Sequence, residues 1–212
     1  MRRTPFLLAL GLATLLTGSV AYGASTQNLT MTATIAEGAW STFDPETGND
    51  EFGGVQFARE GGVVTVTLDR SIGELVLCEG AGTPDPTDDF YGFVGKEING
   101  SGPATLSVGR QYRSAKASGT VTAEITTYNE CTGDFGTTTT RTIPVSLTLN
   151  GVGPVAKVSS RSTLRVPSDL TGNEVLRGTL RQAAGTAKVG TLTFDADGAI
   201  GQLSMRVHET AH

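Results

Sequence analysis

Side chains that carry most enzymatic chemistry are scarce in this sequence. Its two histidines are His208 and His212. His208 falls on the polar side of the alternating run Leu203, Met205, Val207, which is the place of a surface imidazole rather than of a general base. A hydrolytic triad needs a nucleophile, a base and an orienting acid, and no Gly-x-Ser-x-Gly string supplies the nucleophile elbow. The two cysteines, Cys78 and Cys131, are an even and minimal set. In an exported chain such a set reads as one disulfide, closing a loop worth roughly 4 kcal/mol in chain entropy. Zinc lacks a His/Cys cluster to hold it. Serine, cysteine and zinc hydrolase chemistry all go unsupported.

Carboxylates remain. A glycosidase needs only two of them, and Asp69, Glu74, Glu97 and Glu124 lie on polar strand faces or near strand ends, where solvation is the ordinary role. Two acidic loops offer the oxygen ligands that calcium prefers, one with Asp44, Glu46 and Asp50, the other with Asp85, Asp88 and Asp89. Neither has EF-hand spacing. Aromatic residues concentrate at Trp40 with Phe43 and at Phe90-Tyr91 with Phe93. Trp40, Phe90 and Tyr91 are the candidates for a ligand-binding platform if exposed, and pieces of core if not.

These residues sit in a chain that alternates apolar and polar positions with a period of two. Leu29 to Ile35, Val64 to Leu68, Val121 to Ile125 and Leu203 to Val207 each place threonine or another polar residue at every second position, and Ile143 to Leu149 does so with Ser146 and Thr148. Threonine stiffens at χ1 and suits the pleated sheet, while 28 glycines supply turns. One buried and one wet face predicts antiparallel strands. The expected fold is all-β, a single antiparallel β-sandwich or flattened β-barrel of roughly ten strands, without substantial helix. Ser168 to Ala184, broken by Gly172 and Gly178, reads as strand. Asn-Gly at 99–100 and 150–151, Thr-Pro-Asp-Pro at 83–86 and Asp-Ala-Asp-Gly at 195–198 read as turns.

An internal echo runs through the chain. Asn99-Gly-Ser-Gly-Pro103 returns as Asn150-Gly-Val-Gly-Pro154. Each is preceded by a Cys-x-Gly at Cys78 and Cys131, and by a glycine-led strand at Gly62 and Gly119. Such an echo points to two related halves, 61–117 and 118–183, within one domain spanning 24–212.

Cys131-Thr132-Gly133, the strand ending in Asn150-Gly-Val-Gly-Pro154, and Arg181-Gln-Ala-Ala-Gly-Thr186 resemble uncharacterised secreted all-β bacterial proteins over the C-terminal half. The resemblance implies fold and export. No activity is assigned to those proteins, so no site residue follows from it.

The start of the chain agrees with export. Arg2 and Arg3 precede the apolar run Phe6 to Leu16, and small residues end at Ala21-Tyr22-Gly23, the layout of a signal peptide cleaved after Gly23. The run is too short to span a bilayer comfortably, and no later stretch approaches a span. Net charge is −5, so removal of Arg2 and Arg3 leaves −7, a surface that repels nucleic acid. The function expected is an exported, non-catalytic binding or structural module. Its partner would be a glycan, a cell-envelope component or a protein, and no cofactor is required unless calcium fills an acidic loop. A carboxylate-based hydrolase, and an inhibitor presenting the loop Thr83 to Thr87, are the alternatives.

Overall fold

A computed structural model describes residues 27–44, 49–78, 90–166 and 170–211. Within these residues nine strands follow one another: β1 (Gln27–Asp44), β2 (Asn49–Glu60), β3 (Val63–Cys78), β4 (Phe90–Val108), β5 (Ser114–Asn129), β6 (Asp134–Phe135), β7 (Thr139–Val166), β8 (Leu170–Val189) and β9 (Leu192–Ala211). Among the described residues the one helical element is a 3₁₀ turn, Arg110–Tyr112.

All strand pairs are antiparallel, and β9 returns to pair with β1. Since β4 also pairs with β5, eight strands close into a ring, with the two-residue β6 added at the end of β5. Closure covers the edges that an open antiparallel sheet presents, except where a strand such as β7 runs beyond its neighbour. Strand lengths run from 12 residues in β2 to 28 in β7, so the ring is an uneven, flattened barrel.

The main core fills its inside. Ala36, Val55, Phe57, Val66, Leu68, Val121, Leu147, Leu149 and Ile200 belong to one buried cluster. Three of the alternating series, starting at Val64, Val121 and Ile143, turn their apolar side inward as expected. Burying each large side chain contributes about 1.5–3 kcal/mol. The outer positions of the same strands hold Thr65, Thr67, Thr120, Thr122, Thr142 and Thr148, which suits water. A membrane barrel has the reverse pattern, an apolar band facing outward.

The other two series face the opposite side. Ile35 and Leu203 join Ala58 in a second buried cluster, with Ala33, Val158, Leu176 and Leu180 packed against it. Alternation therefore specified two-sided burial along β1 and β9, not one wet face. Ala36 and Trp40 supply the inward side of β1, and Ala196 and Ile200 that of β9.

The turn signals need correction. Asn99-Gly100 lies inside β4, Asn150-Gly151 inside β7, and Asp195 to Gly198 inside β9. A Cβ on Gly198 would stand 1.8 Å from the Glu37 carbonyl oxygen, and one on Gly100 2.4 Å from that of Thr122. These glycines let neighbouring strands approach closely within the bent sheet. The tight hairpins fall elsewhere: Gly61 and Gly62 join β2 to β3 with φ of 54° and 89°, the left-handed pair that a type I′ turn requires. Both copies of the Asn-Gly-x-Gly-Pro echo lie within the strand pairing that follows their cysteine, and in β7 it coincides with a register shift between Gly151 and Val155. The Thr83–Pro86 turn lies outside the described residues, as does the Arg2–Gly23 segment.

Candidate functional site

Trp40 is 5% exposed and belongs to the core. Its indole stacks on Phe194, centroids 4.6 Å apart, and its Nε1–H donates to Glu51 Oε1 at 3.2 Å. The same oxygen accepts from Arg70 Nε at 2.8 Å, and the Arg70 guanidinium lies 5.4 Å from the Phe194 ring centroid. Every member of this group faces inward. Gly53, paired between Trp40 and Arg70, leaves room for the indole, because a Cβ there would stand 2.7 Å from it. Charge, ring and hydrogen bond satisfy one another, as buried ionic groups require, and the group packs the inside of the ring.

Phe90 and Tyr91 are exposed, at 47% and 68%. They open β4, paired with Cys78 and Leu77. Glu46, Asp85, Asp88 and Asp89 lie outside the described residues, as does the side chain of Asp44, while Asp50 is exposed on β2. Among the described residues no three His, Cys, Asp or Glu side chains converge as a metal site. Asp69 and Glu124 are exposed on the outer wall. Thr83 to Thr87, the candidate inhibitory loop, is not among the described residues.

Next to Tyr91 along β4 the chain builds something more specific. Gly73 and Gly95 face each other across the β3–β4 pair, and Tyr128 of β5 stands opposite Gly95. With no side chain on either glycine, the Phe93 ring lies over both: a Cβ on Gly73 would stand 2.2 Å from it. Phe93 stacks with Tyr128 at 5.7 Å between centroids and 17° between planes, an offset arrangement that aromatic quadrupoles favour. The Tyr128 hydroxyl lies 3.3 Å from the buried Ser71 Oγ, which fixes the ring. Phe52, 53% exposed, projects from β2 on the same outer face.

These rings form part of a groove of about 580 Å³, bordered by the carboxylates Glu97, Glu130 and Asp134. The volume falls in the range of small-ligand sites. Glu130 is held from two directions, its Oε2 accepting the Phe93 N–H at 2.7 Å and its own N–H donating to the Phe93 carbonyl at 3.1 Å. The Cys78–Cys131 disulfide ties this segment to the end of β3, with Cα atoms 5.1 Å apart. The segment carrying Glu130 is thereby fastened covalently to the sheet beside the groove.

Of the residues singled out from sequence, Phe93 and Glu97 line the groove, and Trp40 is remote from solvent. Phe52, Tyr128, Glu130 and Asp134 were missed. Tyr128 carried a signal nonetheless: it follows Thr122, Glu124 and Thr126 at the wet positions of β5, where a large ring has no core to fill. Comparison of the chain with protein-family models, curated proteins and solved structures finds no match.

Proposed function

We propose that the chain is an exported, non-catalytic binding module acting outside the cytoplasm, whose ligand lies in the groove between β2, β4 and the β5–β6 hairpin. One observation carries the reading: Phe93 is laid over a facing pair of glycines and stacked on Tyr128 on the polar side of the sheet. A ring pair that contributes nothing to the inner core, yet is held by Ser71, Glu130 and a disulfide, is an ordered surface ready for a ligand. The disulfide supports export, because such bonds persist in oxidising compartments, and the signal-peptide layout of residues 1–23 supports it further.

The test is co-sedimentation of the processed protein with insoluble cell-envelope polysaccharide. Wild type is expected in the pellet, and the F93A/Y128A variant retained about tenfold less or weaker still, the usual weight of aromatic anchors. Circular dichroism of the variant controls for folding. Equal retention of a folded double variant, or no retention of wild type, overturns the proposal. A second reading, carboxylate-based hydrolysis, is favoured by the three acidic groups sharing this groove. It predicts turnover of oligosaccharides that is lost in E97Q.

A further inference from the structure

We infer that the groove takes an amine-bearing saccharide, its protonated amino group held between the ring faces and the rim carboxylates. This inference rests on the reading of the groove as a binding site and adds the chemistry of what fills it.

Charge is the first argument. Among the described residues, three carboxylates and no lysine or arginine border the groove, so an anionic ligand is repelled while a cation is attracted. Aromatic rings act in the same direction, because the negative face of a π-system draws an ammonium group within about 6 Å. Phe52, Phe93 and Tyr128 thus complement the same charge as Glu97, Glu130 and Asp134.

The second argument distinguishes a saccharide from a basic peptide. Stacked rings present flat apolar faces, which match the C–H face of a pyranose. Thr126 and Asn129 also line the groove, with a neutral hydroxyl and amide suited to sugar hydroxyls.

The third argument is the field of the whole molecule. Toward the disulfide end, Asp50, Asp69, Glu74, Glu97, Glu130 and Asp134 outnumber Lys96, with Arg70 already paired to Glu51, whereas Arg59, Arg110, Arg113, Lys116, Lys157 and Arg181 outnumber Glu60 toward the opposite end. The groove lies at the acidic pole, where the summed potential raises the local concentration of cations.

Isothermal titration at pH 6 and low salt tests the inference, comparing a glucosamine hexamer, its fully N-acetylated counterpart and hexalysine. The glucosamine hexamer is expected to bind at least about tenfold tighter than the N-acetylated one, to weaken as salt rises, and to lose about tenfold in E97Q/D134N. Equal affinity for the two hexamers overturns the cation inference while leaving the groove as a neutral-sugar site. Hexalysine binding as tightly as the glucosamine hexamer overturns the saccharide, since bare charge then suffices. Binding of neither hexamer overturns the inference outright; retention on envelope polysaccharide that still depends on Phe93 and Tyr128 leaves the broader proposal standing.

Discussion

Glu37 and Gln56 show how a single polar pair sets a local pH response. They stand opposite each other on the outer side of β1 and β2, and Gln56 Nε2 donates to Glu37 Oε2 at 3.1 Å. Burial pushes the Glu37 carboxyl above its ordinary value, and the Gln56 hydrogen bond opposes that rise only in part. Gln56 Oε1 is buried without a partner. A carboxyl raised in the folded state contributes stability that is fully present below its unfolded value and is lost as pH rises through its folded value. E37Q keeps an acceptor for Gln56 Nε2, removes the buried charge and adds an N–H that can reach Gln56 Oε1. The variant is expected to gain about 1 kcal/mol at pH 7, a rise in melting temperature of roughly 2–4 °C for a chain of this size. Below the ordinary glutamate range it gains little. Thermal melts at pH 3.5 and pH 7 check this; equal shifts at both would assign the gain to something other than the charge.

Among the elements, β7 runs the greatest risk. It pairs with β5 as far as Asn150 and with β8 to Val166, so past Asn150 no described strand covers its other side. Val155 and Val158 lie on that stretch, and an uncovered edge is a template for pairing with another chain. Lys157 and Arg161, both exposed, interrupt it with charge, a usual guard of such edges. K157T/R161T is expected to keep the fold by circular dichroism but to aggregate at lower protein concentration, read by light scattering. An unchanged threshold would show that another device protects the edge. The same strand shows how far sequence reading reaches. Alternation from Ile143 to Leu149 placed its inward face correctly, because each of those side chains has one side to choose. Past Gly151 the register shifts, and periodicity alone cannot register a bulge. Asn-Gly at 150–151 misled for a related reason, since glycine serves equally for a turn and for a close approach between strands, and only the neighbouring strand decides between them.

At the scale of the whole molecule, ring closure decides what local patterns could not. Period-two alternation implied an antiparallel sheet, and compartment implied the disulfide; neither could say that β9 returns to β1 or that β4 meets β5. Those two pairings turn an open meander into a ring and send Trp40 inside. The run of pairings β2–β3–β4–β5 brings Phe52, Phe93 and Tyr128 together from three strands, although 76 positions separate the first from the last. The groove was legible only in fragments for this reason: its rings are distant in sequence, and Phe93 rests on two glycines with no side chain to notice. The most direct test is an amide NMR titration of the processed protein with the glucosamine hexamer. Shifts are predicted to cluster at Phe93, Gly95, Tyr128, Glu130 and Gly133. Shifts concentrated on β7 and β8, or a spectrum that does not change, would contradict the account.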